Sequence, residues 1–391
     1  MRNGNFVHTF AQTNVRQPYR HFGIKPADRL MHVYVIGRSG TGKTTLLERM
    51  IEGDLRHGAG GALIDPHGDL AERVAARAER LGRTDLVHLD MPDPDLPFGY
   101  NPLTYIAPEY RPLLASGMLE VMQMLWPNAW GVRMEYILRN ALLALLDQPS
   151  ATLADVPRLL REKAFRHQVA ENVSHEPVRE FWKTDYDKFV GRFQAEAIAA
   201  IMNKVGALLA DPRLHRFLTR EDNRLRFRRV MDEGQFLVVN LAKGALGSDS
   251  ANLMGGLLVT ALSLAALSRI DLPAEQRRPF YLYVDEFQSF TTLSFATMTA
   301  ELRKFGVGLV LAHQYLGQLS EQVRDAVLGN AGTLIAFRLG PFDARFVARE
   351  FAPLAAERDL LNLPNHEVYV KLMVDGEPLR PFSARTLVPE A

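Results

Sequence analysis

The sequence predicts an α/β protein with a mainly parallel sheet, interrupted by an inserted all-α domain. Short apolar runs that read as strands alternate with amphipathic helical stretches near both ends of the chain, the pattern of a parallel sheet covered on both faces. Between about 108 and about 218 no convincing strand occurs. Lys43 and Asp285, which the motifs below assign to one site, lie 242 positions apart, far more than one βαβ unit needs, and an insertion explains the interval.

Length and composition agree. At roughly 150 residues per domain, 391 residues give two or three units, and the 47% hydrophobic fraction supplies sizeable cores. Lys plus Arg is 46 against 45 Asp plus Glu, so the net charge of +1 excludes a polybasic coat and any nucleic-acid surface must be local. The lack of cysteine excludes disulfides, thiolate metal sites and a Cys nucleophile, and fits a reducing, cytoplasmic location. Residues 1–30 carry Arg2, Arg16, Arg20, Lys25 and Arg29 but no apolar run of signal-peptide length.

In chain order, Met31–Ile36 reads as a strand, followed by a helix with Leu46, Leu47, Met50, Ile51 and Leu55 on one face. Gly61–Asp65 is the next strand, then a helix over Leu70–Leu81 and a strand over Leu86–Leu89. The Pro/Asp cluster Asp90–Pro97 is a linker or long loop. Helical stripes follow, the best formed by Ile198, Ile201, Met202, Val205, Leu208 and Leu209, with Asp211-Pro212 marking the last major helix end. Alternation resumes with strands at Leu225/Phe227, Gln235–Leu241, Phe280–Asp285, Val307–Ala312 and Thr333–Phe337, and helices at Ser250–Ile270, Phe295–Lys304 and Ser320–Leu328. His366–Val374 and Leu379–Ser383 pair as a hairpin. Ser250–Ser268 is uncharged over nineteen residues, long enough for a membrane span, but its Asn252, Gly255, Gly256 and Thr260 and its place between two strands favour a helix buried against the sheet.

Gly37-Arg38-Ser39-Gly40-Thr41-Gly42-Lys43-Thr44 matches the pattern of Gly, four residues, Gly, Lys and Ser/Thr, and stands between a strand and a helix. Glycine lets the backbone turn tightly, so that successive amides and the helix N-terminus face polyphosphate oxygens. Nucleotide binding is therefore assigned to Gly37, Ser39, Gly40, Thr41, Gly42, Lys43, Thr44 and Thr45. Lys43 would reach the β- and γ-phosphates and the Thr44 hydroxyl would ligate magnesium. ATP with Mg2+ is the expected ligand of this loop, and since the histidines show no metal-ligand spacing of their own, that magnesium is the only metal expected.

The apolar strand Tyr281–Val284 ends in Asp285-Glu286. Neighbouring residues at a strand end point to opposite sides, which lets the two carboxylates divide the labour. Asp285 is assigned to the magnesium shell and Glu286 to orienting and deprotonating the attacking water.

Further segments stand in a recurring order: His21-Phe22-Gly23-Ile24, Asp28-Arg29, Asp65-Pro66-His67-Gly68-Asp69, Tyr100-Asn101-Pro102-Leu103 and Ala312-His313-Gln314. With the two nucleotide motifs, they resemble the HerA–FtsK superfamily of P-loop ATPases, and within it the soluble ATPase part of conjugative type IV secretion coupling proteins. The resemblance covers about 20 to 340. It implies a RecA-like core split into 1–104, with an N-terminal segment 1–30, and 219–391, with the hairpin, around an all-α domain at 105–218. It also implies six subunits round a channel and ATP-driven movement of DNA. Gln314 matches the family's polar sensor, and Arg303 lies in the segment from which related motors supply an arginine finger to a neighbour, with Lys304 and Arg338 near plausible subunit edges. Asp65 and Asp69 either make the turn and cap the helix, or Asp65 touches Lys43 or the magnesium water shell. Coupling proteins of conjugation usually carry N-terminal membrane helices, which this sequence does not show, so the resemblance is to a soluble relative.

Arg213, Arg216, Arg220, Arg224, Arg226, Arg228 and Arg229 concentrate within seventeen residues that hold only two acids, Glu221 and Asp222. They could neutralise DNA phosphates, or form a solvated edge or a subunit interface. Lys243 is a second candidate. No stacking motif accompanies either, so backbone contact without sequence reading is expected. The leading function is a DNA-translocating ATPase acting as a homo-hexamer, with a nuclease, relaxase or secretion channel as possible partner. The alternative is an ATP-dependent scaffold or switch that recruits an effector without moving DNA.

Overall fold

The N-terminal stretch, whose residues carry no apolar run, forms two strands, β1 (His8–Thr13) and β2 (His21–Ile24). The computed structural model describes residues 6–15, 17–104, 106–188, 192–220 and 225–390; Arg2, Arg16, Glu221, Asp222 and Arg224 lie outside them. The strands expected of the sheet domain follow as β3 (Val33–Ile36), β4 (Gly60–Asp65), β5 (Leu86–Asp90), β6 (Phe236–Asn240), β7 (Phe280–Val284), β8 (Val307–His313) and β9 (Thr333–Ala336). The tail adds β10 (Glu367–Lys371), the short pair β11 (Met373–Val374) and β12 (Glu377–Pro378), and β13 (Phe382–Thr386).

Among the described residues eleven strands form one sheet in the order β2-β1-β13-β10-β9-β3-β8-β7-β4-β6-β5. From β9 to β5 every pairing is parallel. The central strands β3, β4, β6, β7 and β8 are buried throughout, which is why they read as continuous apolar runs rather than alternations. At the other edge β10, β13, β1 and β2 pair antiparallel, with Tyr369 opposite Ala336 and Ala11 opposite Thr386. The expected hairpin is thus present as β10 and β13.

This topology fixes where function can sit. Ile36, Asp65, Val284 and His313 all end parallel strands at the same edge, the edge where open α/β sheets bind ligands. The glycine-rich turn leads from β3 into the helix Lys43–His57, whose residues Leu46, Leu47, Met50 and Ile51 are fully buried. That helix is anchored by its far half. Asp54, completely buried, pairs with Arg29 through two bonds of 2.7 and 2.8 Å, and also meets His8 at 3.1 Å. Asp28, beside it, accepts from the backbone N–H of Asp375 and Gly376 and so fixes the β11–β12 turn. The Asp28-Arg29 segment is therefore an anchor for both the N-terminal strands and the tail.

Two compact units result: Met1–Asp90 with Phe227–Gly244 and Ala265–Ala391, and Met91–Arg226 with Ala245–Leu264. The second is helical and larger than the 105–218 expected. The reason lies in the long apolar helix Ser248–Leu267, read as packing on the sheet. A Cβ built on its Gly256 would stand 2.7 Å from Val121 Cγ1, so at Gly256 it packs backbone-close against the helix Arg111–Leu125, and its residues 248–264 fall in the helical unit. The segment Ser248–Asp271 has the length and apolar composition of a membrane span, and 78% of its most apolar window is buried inside the protein.

One other local reading changes, and short helices are added. Leu225/Phe227 is not a strand, because Phe227–Glu233 forms a helix that buries Phe227, Val230 and Met231. Asp211-Pro212 follows the end of the long helix Arg192–Leu209, as expected, and also opens a further short helix, Pro212–Thr219, whose first turn is capped by the Asp211 carboxylate accepting from Arg213 N–H at 2.9 Å. Pro341–Phe351 and Glu357–Leu361 are additional helices between β9 and β10.

Candidate functional site

At the C-terminal edge of β3, β8, β7 and β4 a cleft of about 330 Å³ is lined by polar groups from five separate segments, a volume in the range of small-ligand sites. Ser39, Gly40, Gly42, Lys43, Thr44 and Thr45 form one side, and Asp285, Glu286 and Gln314 face them. Gly37 and Thr41 are not on its wall. The Gly37 carbonyl accepts from Lys43 Nζ, and Thr41, wholly buried, bonds through its hydroxyl to Arg38 O. Both shape the loop from behind.

Gly42 has φ +117°, a conformation that side-chain-bearing residues rarely adopt, and a Cβ there would come within 2.7 Å of His366 Nδ1. The loop is thus open at the helix N-terminus, where amides can meet an anion. Lys43 is almost fully buried and lies folded back on its own loop, with Nζ 2.7 Å from Gly37 O and 3.2 Å from Arg38 O. Burial pulls its pKa below the ordinary lysine value, against the opposing pull of Asp285 and Glu286.

Asp285 is buried beside Lys43 and accepts from Thr44 Oγ1 at 3.2 Å. Desolvation, then the neighbouring Asp65 charge, push its carboxyl up to about 6. A buried anion in this condition, with a hydroxyl already at its side, is a fitting oxygen pair for a hard divalent cation. Asp65 itself is spoken for. Its oxygens accept from the backbone N–H of His67, Leu70 and Ala71, each at 2.9 Å, so it makes the turn and caps the helix Asp69–Arg80 rather than bonding Lys43. Asp69 is exposed in the first turn of that helix.

The two adjacent carboxylates do not point to opposite sides of a strand. β7 stops at Val284, and Glu286 adopts a left-handed backbone, φ 47° and ψ 47°, that turns it into the same cleft as Asp285. Its Oε1 accepts from Gln314 Nε2 at 2.7 Å, and its Oε2 lies 3.2 Å from His67 Nε2. Behind the cleft, His313 bonds to the buried Tyr34 hydroxyl, and burial together with Lys43 drives its pKa down to about 3, so it stays neutral.

Arg303 is not in the cleft. It lies exposed in the turn Arg303–Phe305 before β8, at the opposite edge of the sheet, about 20 Å away at the usual rise per strand residue. Lys304 pairs with Glu301 at 2.6 Å, and Arg338 with Leu363 O and Asn365. Several members of the arginine concentration have partners within the protein. Arg213 is tied to Asp211, Arg220 to Leu96 O, Arg228 to Asp271 and Arg229 to Glu233. Lys243 begins the short helix Lys243–Leu246, with its N–H on Pro66 O.

Two histidines of the cleft carry no assignment from the sequence. His67 sits within the Asp65–Asp69 segment, which had been read for its acids, so the signal was present. His366 comes from the tail, with φ 65°, its N–H on Thr41 O and its Nδ1 without a hydrogen-bond partner. No local pattern marks it.

A glycine-rich loop between strand and helix, paired carboxylates across from it and a mainly parallel sheet define the fold class as a P-loop NTPase. The family model described as the type IV secretion-system coupling protein DNA-binding domain matches residues 128–351, more than half of the chain. The chain belongs to that family. Among solved structures, it is similar to the plasmid coupling protein TrwB in complex with ADP and Mg2+, with a TM-score of 0.68 and 17% identity over 99% of this chain and 97% of that one. VirB4 of Thermoanaerobacter pseudethanolicus gives a TM-score of 0.65 at 13% identity, over 100% and 98%. TrwB with a non-hydrolysable ATP analogue gives 0.64 at 17%, over 94% and 88%. At these identities the likeness is one of fold. No curated protein matches the chain.

Proposed function

We propose that the protein is an ATP-hydrolysing motor that moves DNA, without reading its sequence, through a ring of six copies in the cytoplasm. The observation that supports hydrolysis most directly is Glu286, hydrogen-bonded at one oxygen by Gln314, with His67 3.2 Å from the other, and facing a phosphate loop in one cleft. On this reading Lys43 exchanges the Gly37 and Arg38 carbonyls for the β- and γ-phosphate oxygens. Thr44 and Asp285 would hold Mg2+, which when bound neutralises charge on those oxygens. Glu286 takes the proton of the attacking water as its oxygen bonds to the γ-phosphorus and the bond to the β–γ bridging oxygen breaks, leaving ADP and phosphate. Gln314 fixes the carboxylate and is placed to sense the γ-phosphate.

The family description supports DNA as the cargo, and the near-neutral net charge of +1 favours local backbone contacts over a broad basic surface. Arg303, far from its own cleft, is proposed to serve a neighbour's, which makes firing depend on assembly. A relaxase or secretion channel is the proposed partner class.

ATPase turnover measured with and without DNA, on a sample sized concurrently by light scattering, tests this. The expected result is a hexamer whose turnover rises severalfold with DNA of any sequence. A monomer with turnover indifferent to single- and double-stranded DNA would mean a switch or scaffold, not a motor.

A further inference from the structure

Glu286 stands two residues beyond β7, and the segments that follow the two strands bonded to β7, β4 and β8, each send one side chain to it. Just after β8 comes Gln314, with Nε2 2.7 Å from Oε1. From the turn after β4 comes His67, whose Nε2 lies 3.2 Å from Oε2. We infer that His67 is a positioning residue for Glu286, donating its Nε2–H to one carboxylate oxygen while Gln314 donates to the other. This inference rests on the hydrolytic role proposed for Glu286.

An ionised carboxylate only accepts, so the ring must carry its proton on Nε2. The donor is itself fixed: His67 N–H bonds to Asp65 Oδ1 at 2.9 Å, and the same carboxylate caps the following helix. The acceptor is fixed as well, since the left-handed backbone of Glu286 is held by its own N–H on Asp285 Oδ1 at 2.9 Å. Gln314 holds one oxygen, and a proton donated from His67 Nε2 across the 3.2 Å to the other would hold the second and suppress rotation of the carboxylate. Its remaining lone pairs then keep one direction towards the cleft, where water must be aligned.

A purely structural role fits the site less well. The His67 side chain is 56% exposed, whereas Glu286 is only 17% exposed, so the ring contributes little burial of its own and folds over the carboxylate from the solvent side. Replacing it should leave the fold intact and act on turnover alone.

The test is steady-state ATP hydrolysis by the full chain with Mg2+ and DNA, for wild type, His67→Phe, His67→Gln and Glu286→Gln, alongside ATP affinity by titration. His67→Phe removes the donor and is expected to lower kcat at least about tenfold, the scale of one lost hydrogen bond to a charged group, with KM and ATP affinity unchanged. His67→Gln places an amide N–H near the lost Nε2–H and should recover most of that loss. A His67→Phe enzyme with wild-type kcat, a His67→Gln enzyme no better than His67→Phe, or a loss that appears only in ATP affinity would each overturn the inference. Wild-type turnover in Glu286→Gln would remove the hydrolytic reading and this inference with it, whereas an inactive Glu286→Gln beside a normal His67→Phe sinks the inference alone.

Discussion

The Thr44 hydroxyl donates to Asp285 Oδ2 at 3.2 Å, joining residues 241 positions apart in sequence. The contact exists because β3 and β7 flank β8 in one parallel sheet and end at the same edge. It brings the phosphate loop to the acidic motif, and the electrostatics of the cleft follow from it.

Lys43 and Glu286 act at different stages and should separate cleanly. Lys43→Ala removes the cation facing the phosphates and should weaken ATP binding by about 10- to 100-fold. Glu286→Gln should bind ATP as tightly as wild type and lower kcat by about 100-fold or more. Fluorescent-nucleotide titration beside turnover reads both. Equal loss of binding in the two variants would contradict these roles.

Asp285 has a folded-state pKa raised to about 6, so ionising it costs stability. For a carboxyl raised above its unfolded value of about 3.8, the cost is absent below pH 4, grows as pH rises from about 4 to about 6, and is complete above. In nucleotide-free protein, Asp285→Asn should therefore be more stable than wild type at pH 7.5 by about 1–3 kcal/mol, the lower end allowing for the partner that Lys43 loses. The advantage should vanish near pH 4. Thermal unfolding across this range checks it, and a pH-independent difference would rule out the burial of this charge as the cause.

Gly42 combines φ +117° with the 2.7 Å approach of His366 Nδ1 to any added Cβ. Gly42→Ala should cost about 1–3 kcal/mol from backbone strain and abolish ATP binding. Adding His366→Ala should relieve the contact but not the strain, recovering part of the stability and none of the binding. Denaturant midpoints of the single and double variants decide this.

The Arg29–Asp54 pair is completely buried on both sides. Removing one partner strands the other charge, so Asp54→Ala should destabilise the sheet unit by about 3–5 kcal/mol. Urea unfolding followed by circular dichroism would falsify this if the loss were below about 1 kcal/mol.

For Arg303, the trans role has a combinatorial signature. Arg303→Ala should keep ATP affinity and lose turnover in the assembled state, and mixing it with Glu286→Gln subunits should restore activity. Each Arg303→Ala cleft then retains Glu286 and receives Arg303 from its neighbour. No restoration at any mixing ratio would count against a trans cation.

The parts of the site written in contiguous residues were readable in advance. Gly37–Thr44 shares one turn, and Asp285-Glu286 ends a run of apolar residues, because loop geometry and strand burial are set within a few neighbours. β1 was invisible by the same logic: it pairs Ala11 with Thr386, and its partner is at the far end of the chain. The helix Phe227–Glu233 was misread because the short alternation Leu225-Arg226-Phe227 suits a strand, whereas Phe227, Val230 and Met231 stand at helical spacing and are buried together.

The amino-acid order alone determined the phosphate loop, its acidic counterpart and the alternation that makes a parallel sheet, since each depends on short-range backbone and hydropathy constraints. Tertiary packing decided the rest: that Glu286 turns into the cleft and is met by His67 and Gln314, that His366 closes on Gly42, and that the helix Ser248–Leu267 sits largely with the helical unit. Those relationships join segments tens to hundreds of residues apart, and only the strand order and the closeness that glycine permits bring them within bonding distance.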